Sequence, residues 1–456
     1  MSEQLNMVCF LGIGGIGMSA IARYYHANGV AVWGYDRTPS ALTQQLEALG
    51  IPVTYTDSLE SLPAALHPQA SRQGVLVVYT PAIPKQGVLL NYFFNNGFRV
   101  IKRAFALAEL TQNAFTVAVA GTHGKTTTST LVAHICQVAG LEPTAILGGI
   151  SGNYGSNLLL GKPNLCVVEA DEFDRSFLSL HPAIAAITST DPDHLDIYET
   201  KAQFLEAFEA FASQVTGTLF YKNGIEITLP QHIKTQSYGS TGDIVYKNVQ
   251  ITNAQYSFDY EGDGVEITDI TCGLAGIHNV ENATAAIAIA LQMGIAIPHI
   301  KTAVASYQGV KRRFEYLHKS PELTYIDDYA HHPTEIKALV QSVKQLYPAH
   351  QIVGIFQPHL YSRTQDFEQG FAYELSQLHQ LYLLDIYAAR ESPIENVTSQ
   401  NLLLKVSLEK KKHVQKTDIA HIIADIKQQN QPTVLLTIGA GDIDQIVPEI
   451  VALINS

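Results

Sequence analysis

Residues 116–126 read Thr116-Val117-Ala118-Val119-Ala120-Gly121-Thr122-His123-Gly124-Lys125-Thr126. The apolar run that ends at Ala120 predicts a buried strand, and the residues from Lys125 to about Ala139 have the pattern of a helix. A lysine and a threonine at a glycine-rich strand-to-helix junction offer N–H groups, an ammonium and a magnesium-binding hydroxyl to phosphates. The spacing departs from the usual P-loop, because Val119 stands where a glycine is expected. We therefore predict an α/β domain that binds a nucleotide but is not a generic P-loop NTPase.

Short apolar runs alternate with helical patterns on both sides of this junction. The predicted strands are Val8–Leu11, Val30–Tyr35, Val75–Tyr79, Cys166–Glu169, Ile184–Thr188, Leu323–Asp327, Ile352–Gln357, Gln380–Leu384 and Val434–Ile438, with a β-rich stretch near 215–275. This βαβ order is typical of parallel sheets. A chain of 456 residues is too long for one core. We expect three α/β domains, 1–105, 106–311 and 312–456, separated by loops near 105 and 311.

Composition excludes several classes of protein. The 46% hydrophobic and 16% charged residues are those of an ordinary globular protein. A net charge of −13 argues against general binding to nucleic acid or anionic lipid. No apolar run approaches the roughly 20 residues of a membrane helix, and Met7–Met18 is too glycine-rich for a signal peptide. Four scattered cysteines form no metal-ligand pattern. We expect a cytoplasmic protein with reduced, buried thiols.

A second glycine-rich turn lies near the N-terminus. Gly12-Ile13-Gly14-Gly15-Ile16-Gly17 follows a predicted strand and opens a predicted helix, and Asp36 comes after the next strand. Together they fit the dinucleotide-binding pattern, in which N–H groups at a helix start hold a diphosphate. The pattern does not separate NAD from a nucleotide sugar, and a tight turn without a ligand is the simpler alternative.

Two acidic segments follow predicted strands of the central region. Glu169-Ala170-Asp171-Glu172-Phe173-Asp174 carries four carboxylates, which are ligands that suit Mg²⁺ next to a phosphate-binding loop. Thr190-Asp191-Pro192-Asp193-His194-Leu195-Asp196 adds a histidine among carboxylates. Taken alone, the first segment is an ordinary solvated loop and His194 a capping residue. Taken with Lys125, they predict a metal–phosphate centre.

These segments together resemble the Mur ligases of peptidoglycan synthesis, whose nucleotide loop has the pattern of Gly121 to Thr127. The resemblance covers the whole chain and is greatest for the branch that adds the first amino acid to UDP-N-acetylmuramate. Further matching segments are Gly148-Gly149 with Asn157, Glu169–Glu172 continuing to Asp174–Leu178, Gly276–Asn279 with Asn282, Gly309–Phe314, Asp327–Pro333, Gln357-Pro358-His359 and Gly439–Ile443.

The resemblance implies a fold and an activity. The fold is an N-terminal Rossmann-like domain for the UDP part, a central P-loop ATPase-type domain and a C-terminal Rossmann-like domain that binds the amino acid and completes the ATP site. The expected reaction joins L-alanine to the lactyl carboxylate of UDP-N-acetylmuramate through an acyl phosphate, with ATP and Mg²⁺, or Mn²⁺, as cofactors. No nucleic-acid partner or membrane insertion is expected, and the oligomeric state stays open.

Matching positions take roles by the same resemblance. The implied catalytic residues are Lys125, Glu169, His194 and Arg313, and the implied metal ligands are Thr126, Glu169 and His194. The implied ATP-binding residues are Gly121, Thr122, His123, Gly124, Lys125, Thr126, Thr127, Asn279, Asn282, Arg313 and Asp328. The UDP-sugar side comprises Gly12, Gly14, Gly15, Gly17, Asp36, His123, Asn157, Glu172, Asp174 and Ser176. The amino-acid side comprises Tyr329, His331, His359 and Arg363.

The chain departs from the family pattern at two points. Leu360 stands where the alanine-adding branch often has an arginine, so one expected carboxylate-binding group is missing. Several Mur ligases also bridge metal ions with a carbamylated lysine, and Lys201 is too poor a match to be assigned that role.

Three alternative functions remain to be weighed. An NAD-dependent dehydrogenase would explain the first glycine turn but leave Gly121 to Thr127 without a use. A nucleotide-binding module without ligase chemistry would not explain the Gly276–Asn279 and Gly309–Phe314 segments. Within the family, the recycling ligase that attaches a whole tripeptide to the same acceptor is the main alternative, although its acidic loop typically continues differently.

Overall fold

The computed structural model describes residues 5–67, 71–191, 198, 200–252, 255–389, 391–429 and 431–456. These residues form three sheets with associated helices, which confirms the predicted α/β class. The strands are β1 (Met7–Leu11), β2 (Ala31–Tyr35), β3 (Val53–Thr54), β4 (Val75–Tyr79), β5 (Arg99–Lys102), β6 (Phe115–Ala120), β7 (Pro143–Ile146), β8 (Leu158–Leu159), β9 (Lys162–Glu169), β10 (Ile184–Ile187), β11 (Thr218–Lys222), β12 (Lys234–Gly239), β13 (Ile244–Thr252), β14 (Gln255–Gly262), β15 (Val265–Cys272), β16 (Glu315–Lys319), β17 (Leu323–Asp328), β18 (Gln351–Phe356), β19 (Gln380–Leu383), β20 (Lys411–His413) and β21 (Thr433–Ile438).

The helices occupy the segments between these strands. They are α1 (Ile16–Ala27), α2 (Ala41–Ala48), α3 (Val88–Asn95), α4 (Arg103–Thr111), α5 (Lys125–Val138), α6 (Lys201–Ser213), α7 (Ile277–Gln292), α8 (Ile297–Ser306), α9 (Pro333–Leu346), α10 (Tyr361–Asp366), α11 (Glu368–Leu375), α12 (Ser399–Lys405), α13 (Ile419–Lys427) and α14 (Val447–Asn455). Short 3-10 turns include Phe173–Ser179. No helix in the described part of the chain combines the length and apolar character needed to cross a bilayer.

The first sheet has the strand order β3-β2-β1-β4-β5 and is parallel throughout. Strand β1 lies at its centre, and the glycine turn follows β1 directly. Successive connections run to opposite sides of β1, first to β2 and later to β4. In an open parallel sheet, ligands bind outside the carboxyl ends of the strands at such a switch point. The topology therefore places Gly12–Gly17 where a ligand is expected.

The second sheet brings the other glycine turn together with the acidic loop. Its strand order is β15-β14-β13-β12-β11-β10-β6-β9-β7-β8. Strand β6 pairs in parallel with β9 and with β10, with Val119 opposite Glu169 and Ala120 opposite Ile187. Because the carboxyl ends of parallel strands meet at one edge, Gly121 and Glu169 begin their loops side by side.

The third sheet has the order β16-β17-β21-β18-β19-β20, with β16 antiparallel to β17 and the other pairs parallel. Helix α9 begins at Pro333, and proline suits this first position because it lacks the N–H that would have no helical acceptor there. The Nδ1 atom of His332 accepts from Thr334 N–H, and Glu335 accepts from His332 N–H. This capping fixes the loop between β17 and α9.

Contacts divide the chain into two units. The first comprises Met1–Lys247, Tyr260–Thr268 and Glu281–Tyr307, and the second comprises Asn248–Asp259, Asp269–Val280 and Gln308–Ser456. Within the first unit one apolar core includes Phe10 and Ala118, so it joins β1 to β6. Trp33, the single tryptophan, is 4% exposed in a separate cluster on the first sheet. The predicted boundary at 105 falls inside α4.

The four cysteines are buried as free thiols, as predicted from the sequence. Burial raises the pKa of the Cys136 and Cys166 thiols to about 12. Buried thiols of this kind are typically unreactive at neutral pH.

Candidate functional site

Two glycines shape the phosphate-binding turn before α5. Gly124 has φ +83° and precedes the first residue of the helix, and Gly121 has φ +128°. A Cβ on Gly124 would lie 2.6 Å from the Asn282 side-chain oxygen, and one on Gly121 would lie 2.3 Å from the Thr188 hydroxyl. Both positions need glycine for conformation and for space. Helix α5 begins after Gly124 without a side-chain cap, and the start of such a helix is suited to a phosphate.

Lys125 is held by a buried carboxylate from the acidic loop. Its Nζ donates to Glu172 Oε1 and Oε2 at 2.9 and 2.7 Å and to the Gly121 carbonyl at 2.6 Å. The Glu172 side chain is 1% exposed. Burial disfavours the charged ammonium, but the carboxylates of Glu172 and Glu169 outweigh this and raise the pKa of Lys125. The lysine predicted to meet phosphates is thus charged, only 12% exposed and paired with Glu172.

Glu169 ends β9 next to Gly148. A Cβ on Gly148 would lie 2.1 Å from Glu169 Oε2, so only glycine leaves room for this carboxylate. The same oxygen is buried and has no hydrogen-bond partner among the described residues. A buried carboxylate oxygen without a protein donor is suited to a divalent cation. Glu169 therefore fits the role of a Mg²⁺ ligand.

The other implied metal ligands are less well defined. Thr126 is 3% exposed in the first turn of α5. His194 lies outside the described residues. Within the described ranges, no group of three or more His, Cys, Asp or Glu residues surrounds a possible metal position. Lys201, at the start of α6, pairs with Glu226 at the surface.

The first glycine turn is braced by the acidic residue that the pattern predicted. Asp36 Oδ2 accepts from Gly14 N–H at 2.7 Å, and a Cβ on Gly14 would lie 2.8 Å from the same oxygen. Helix α1 then starts at Ile16 with Gly15 as its N-cap, without a side-chain cap or an acidic residue in its first turn. Its N–H groups are available to an anion.

A cavity of about 260 Å³ lies beside this helix start, within the first unit. It is lined by Gly15, Ile16, Gly17, Met18, Thr80, Pro81, Arg103, Leu107, Ile146, Leu147, Gly148, Glu169, Asp171, Phe173 and Ser176. The cavity thus unites predicted UDP-sugar residues, namely Gly15, Gly17 and Ser176, with the predicted metal ligand Glu169. The first glycine turn and Glu169 are therefore parts of one site.

Asn157 and Asp174 make protein contacts instead of lining this cavity. Asn157 is fully buried, and its Nδ2 donates to the Ile16 carbonyl at 2.6 Å and the Ser19 hydroxyl at 2.9 Å. It thereby holds the first turn of α1. Asp174 adopts φ +52° and pairs with Lys102 at 2.7 Å. His123 lies 3.7 Å from Asp191.

The ATP-side residues of the second unit lie around β17 and the loop before β16. Both Asp328 carboxylate oxygens accept backbone N–H groups, from Phe314 at 2.7 Å and Ala330 at 2.8 Å. Burial raises the pKa of Asp328 to about 7, against the effect of these two bonds. Arg313 stands between Arg312 and Phe314, which have φ +62° and +51°. This segment is conformationally constrained, as functional loops often are.

Neighbouring side chains hold this loop in place. Arg312 donates to Asp327 at 3.1 Å and to the Gly439 carbonyl at 2.6 Å, and its guanidinium lies over the Tyr329 ring. Arg312 is therefore a supporting residue for Arg313. Asn279, at the start of α7, donates to the Ala275 carbonyl at 2.6 Å.

Three of the four predicted amino-acid residues lie together in the second unit. The ring of His331 is 5.3 Å from that of Tyr329 and 6.3 Å from that of His359, and His359 stacks on Tyr387. Arg363 lies in α10, whose N-cap is Leu360 with φ +70° and ψ 140°. Such a backbone conformation is strained for leucine. Leu360, which stands where the family often has an arginine, is therefore also a site of backbone strain.

Comparison with known proteins identifies the family. The description "Mur ligase family, catalytic domain" matches residues 8–115, "Mur ligase middle domain" matches 119–290 and "Mur ligase, glutamate ligase domain" matches 312–441. A protein of Flavobacterium johnsoniae named UDP-N-acetylmuramate–L-alanine ligase is 45% identical, over 99% of each chain. The chain belongs to the Mur ligase family. The resemblance drawn from its motifs is thereby confirmed.

Other Mur ligases extend the comparison. A relative of the same name from Porphyromonas gingivalis is 46% identical over 97% of this chain and 98% of its own. The UDP-N-acetylmuramate-alanine ligase of Thermotoga maritima superimposes with a TM-score of 0.84 at 27% identity, covering 98% and 99% of the two chains. The murein peptide ligase of Psychrobacter arcticus shares the fold, with a TM-score of 0.69 at 20% identity and 99% coverage of both chains.

Several residues of the site were not predicted from the sequence of this Mur ligase. Arg103 and Thr80 line the cavity, but they follow strands without a glycine turn or an acidic cluster nearby. Arg103 belongs to a Lys102-Arg103 pair at a strand-to-helix junction, which could have indicated an anion site. The pairing of Lys125 with Glu172 spans 47 residues of sequence and depends on the order of β6 and β9.

Proposed function

We propose that this Mur ligase joins L-alanine to the lactyl carboxylate of UDP-N-acetylmuramate and converts ATP to ADP and phosphate. The observation that carries the proposal is the cavity that extends from the N-terminus of α1 to Glu169, next to the turn that bears Lys125. The names of the relatives that are 45–46% identical support L-alanine as the amino acid. We retain the domain bounds 1–105, 106–311 and 312–456 and a cytoplasmic location as parts of the proposal.

A carboxylate is a poor electrophile, so the lactyl carboxylate must be activated before an amine can attack it. A lactyl carboxylate oxygen attacks the γ-phosphorus of ATP, which gives an acyl phosphate and ADP. The neutral amine of alanine attacks the acyl carbon and loses a proton. The resulting tetrahedral intermediate then expels phosphate. Lys125 and Arg313 would neutralise the charge that develops on the transferred group, and the remaining contribution of the site is positioning.

A magnesium ion would be held by Glu169, Thr126 and His194. When bound, it would supply a positive charge to the phosphate oxygens. The buried, unpartnered Glu169 oxygen supports the first of these ligands, and the other two rest on the family resemblance.

The decisive assay measures phosphate release with ATP, Mg²⁺ and UDP-N-acetylmuramate, with L-alanine, glycine, L-serine or the tripeptide as acceptor. We expect L-alanine to give the highest kcat/KM. A preference for the tripeptide would identify a recycling ligase instead. Reduction of added NAD without ATP turnover would point to a dehydrogenase, and ATP binding without ligation to a binding module.

Glu169→Gln tests the metal proposal while preserving the size of the side chain. Because a hard cation is attracted mainly by the carboxylate charge, the Mg²⁺ concentration for half-maximal activity should rise by at least about 10-fold. Calorimetry with UDP in the absence of Mg²⁺ should show little change. Glu142→Gln, which neutralises an exposed carboxylate paired with Lys162, is the matched control. An unchanged Mg²⁺ titration for Glu169→Gln would remove this residue from the metal site.

Arg363→Lys tests the amino-acid side of the site. A guanidinium binds a carboxylate through two parallel N–H groups, which an ammonium does not reproduce. We expect the KM for L-alanine to rise about 10- to 100-fold while the KM for ATP changes little. Leu360→Arg should be tolerated and should partly restore the KM in the double variant. An unchanged alanine KM for Arg363→Lys would show that alanine binds elsewhere.

A further inference from the structure

Arg103 occupies an unusual electrostatic position. It is the first residue of α4, and its guanidinium lies across the first turn of α1, since a Cβ on Gly17 would be 3.0 Å from Arg103 Nη1. The N-terminus of a helix carries partial positive charge, so a cation is unfavourable there and an anion is favoured. Two positive groups in contact therefore indicate that an anion belongs between them.

In this structure a carboxylate supplies part of that negative charge. Arg103 Nη2 donates to Asp171 Oδ2 at 2.9 Å, and the two side chains are 20% and 33% exposed. Among the described residues, Asp171 is the acceptor of the Arg103 side chain, and a guanidinium has five N–H donors. Further N–H groups are therefore available to a ligand.

The same cavity contains all the elements of an anion site. Gly15, Gly17, Arg103 and Asp171 line it together with Glu169. A diphosphate carries more negative charge than one carboxylate and can bridge a helix start and a guanidinium. This arrangement would direct the sugar of a nucleotide diphosphate towards Glu169.

We propose that Arg103 binds the diphosphate of the UDP-sugar and that Asp171 is the internal carboxylate that this diphosphate displaces. The inference rests on the proposed function, because it assumes that the cavity takes the UDP-sugar. Asp171 thereby competes with the substrate for Arg103, and it keeps the guanidinium in place while the site is empty.

Substitutions of Arg103 and of Asp171 should change the affinity for UDP in opposite directions. Arg103→Gln should weaken UDP binding about 10- to 100-fold in calorimetry, because a charge-assisted contact is lost. Asp171→Asn should strengthen UDP binding by about 3- to 10-fold, because the competing charge is removed. Asn at this position can still accept the Phe173 N–H that Asp171 Oδ1 accepts at 3.1 Å, so the loop should be retained. An ion pair with a purely structural role would weaken binding in both variants.

A neighbouring ion pair provides matched controls. Arg99 pairs with Glu109, both side chains are exposed, and neither residue lines the cavity. Arg99→Gln and Glu109→Gln make the same changes of charge nearby, and both should leave UDP affinity within about 2-fold of wild type. Uridine, which lacks phosphates, should bind equally to wild type, Arg103→Gln and Asp171→Asn.

The outcomes separate this inference from the proposed function. Ligation by the wild type decides the function. Unaltered UDP affinity in Arg103→Gln, equal losses for UDP and uridine, or weaker UDP binding in Asp171→Asn would each overturn the role of the pair while leaving the ligase activity in place. Absence of UDP binding to the wild type would overturn the role of the pair, whereas absence of ligation by the wild type would overturn the proposed function.

Discussion

Lys125→Ala is expected to lower kcat by at least about 10²-fold, because the ammonium neutralises charge that grows as phosphate is transferred. The variant should also lose stability. Lys125 and Glu172 are 12% and 1% exposed, and removal of one partner leaves a buried charge, which typically costs about 3–5 kcal/mol. Activity within a few-fold of wild type would refute the catalytic role.

A double variant separates the two effects. Lys125→Ala/Glu172→Gln removes both charges, so thermal unfolding should return towards the wild-type temperature while ligation stays lost. Lys162→Ala, which removes an exposed lysine paired with Glu142, should change neither property. Recovery of activity together with stability would mean that Lys125 acts only by supporting the fold.

Gly148→Ala is the second change with a large expected effect. The added Cβ would lie 2.1 Å from Glu169 Oε2 and 2.6 Å from its Cδ, so either the carboxylate or the strand end must move. A displacement of about 1 Å at a reacting centre can cost about 10²-fold in rate, and we expect a loss of that order in kcat. UDP-sugar turnover at saturating Mg²⁺ measures it.

Two further variants interpret this result. Gly155 is nearby in the sequence, and a Cβ on it would meet no atom within 4 Å. Because its φ is +61°, Gly155→Ala reports the conformational cost of losing a glycine without a steric clash. The clash should also lower the temperature of thermal unfolding of Gly148→Ala, and Gly148→Ala/Glu169→Ala, which relieves it, should restore that temperature but not the activity. Near wild-type activity of Gly148→Ala would show that Glu169 need not occupy its present position.

The sequence predicted those parts of the fold and site that depend on local pattern. The strands of residues 7–11, 75–79 and 323–328 appear within about two residues of their predicted bounds, because apolar period and turn residues determine them. The glycine turns were also predictable, because glycines in the sequence indicate positions where the backbone needs a positive φ. Gly12 and Gly124 do have positive φ values in the structure. Strands β8 and β20 were not predicted, because runs of two or three residues carry too little pattern.

The pairing of charges across the site could not be predicted from the sequence. Asp171, Glu172 and Asp174 read as one acidic loop, yet in the structure each meets a different cation. Which cation each carboxylate meets depends on sheet order and on consecutive left-handed residues at Asp174 and Arg175. The pattern predicted a group of metal-binding carboxylates, whereas the contacts distinguish Glu169 from the others.

The position of the single tryptophan makes the first sheet observable by spectroscopy. Trp33 lies 4% exposed on β2, and the other two sheets contribute no indole. Intrinsic tryptophan fluorescence therefore monitors the packing of the first sheet, whereas far-ultraviolet circular dichroism monitors the whole chain. Denaturant curves recorded with both signals would coincide if the chain unfolds as one cooperative body, and they would separate if the first sheet melts independently.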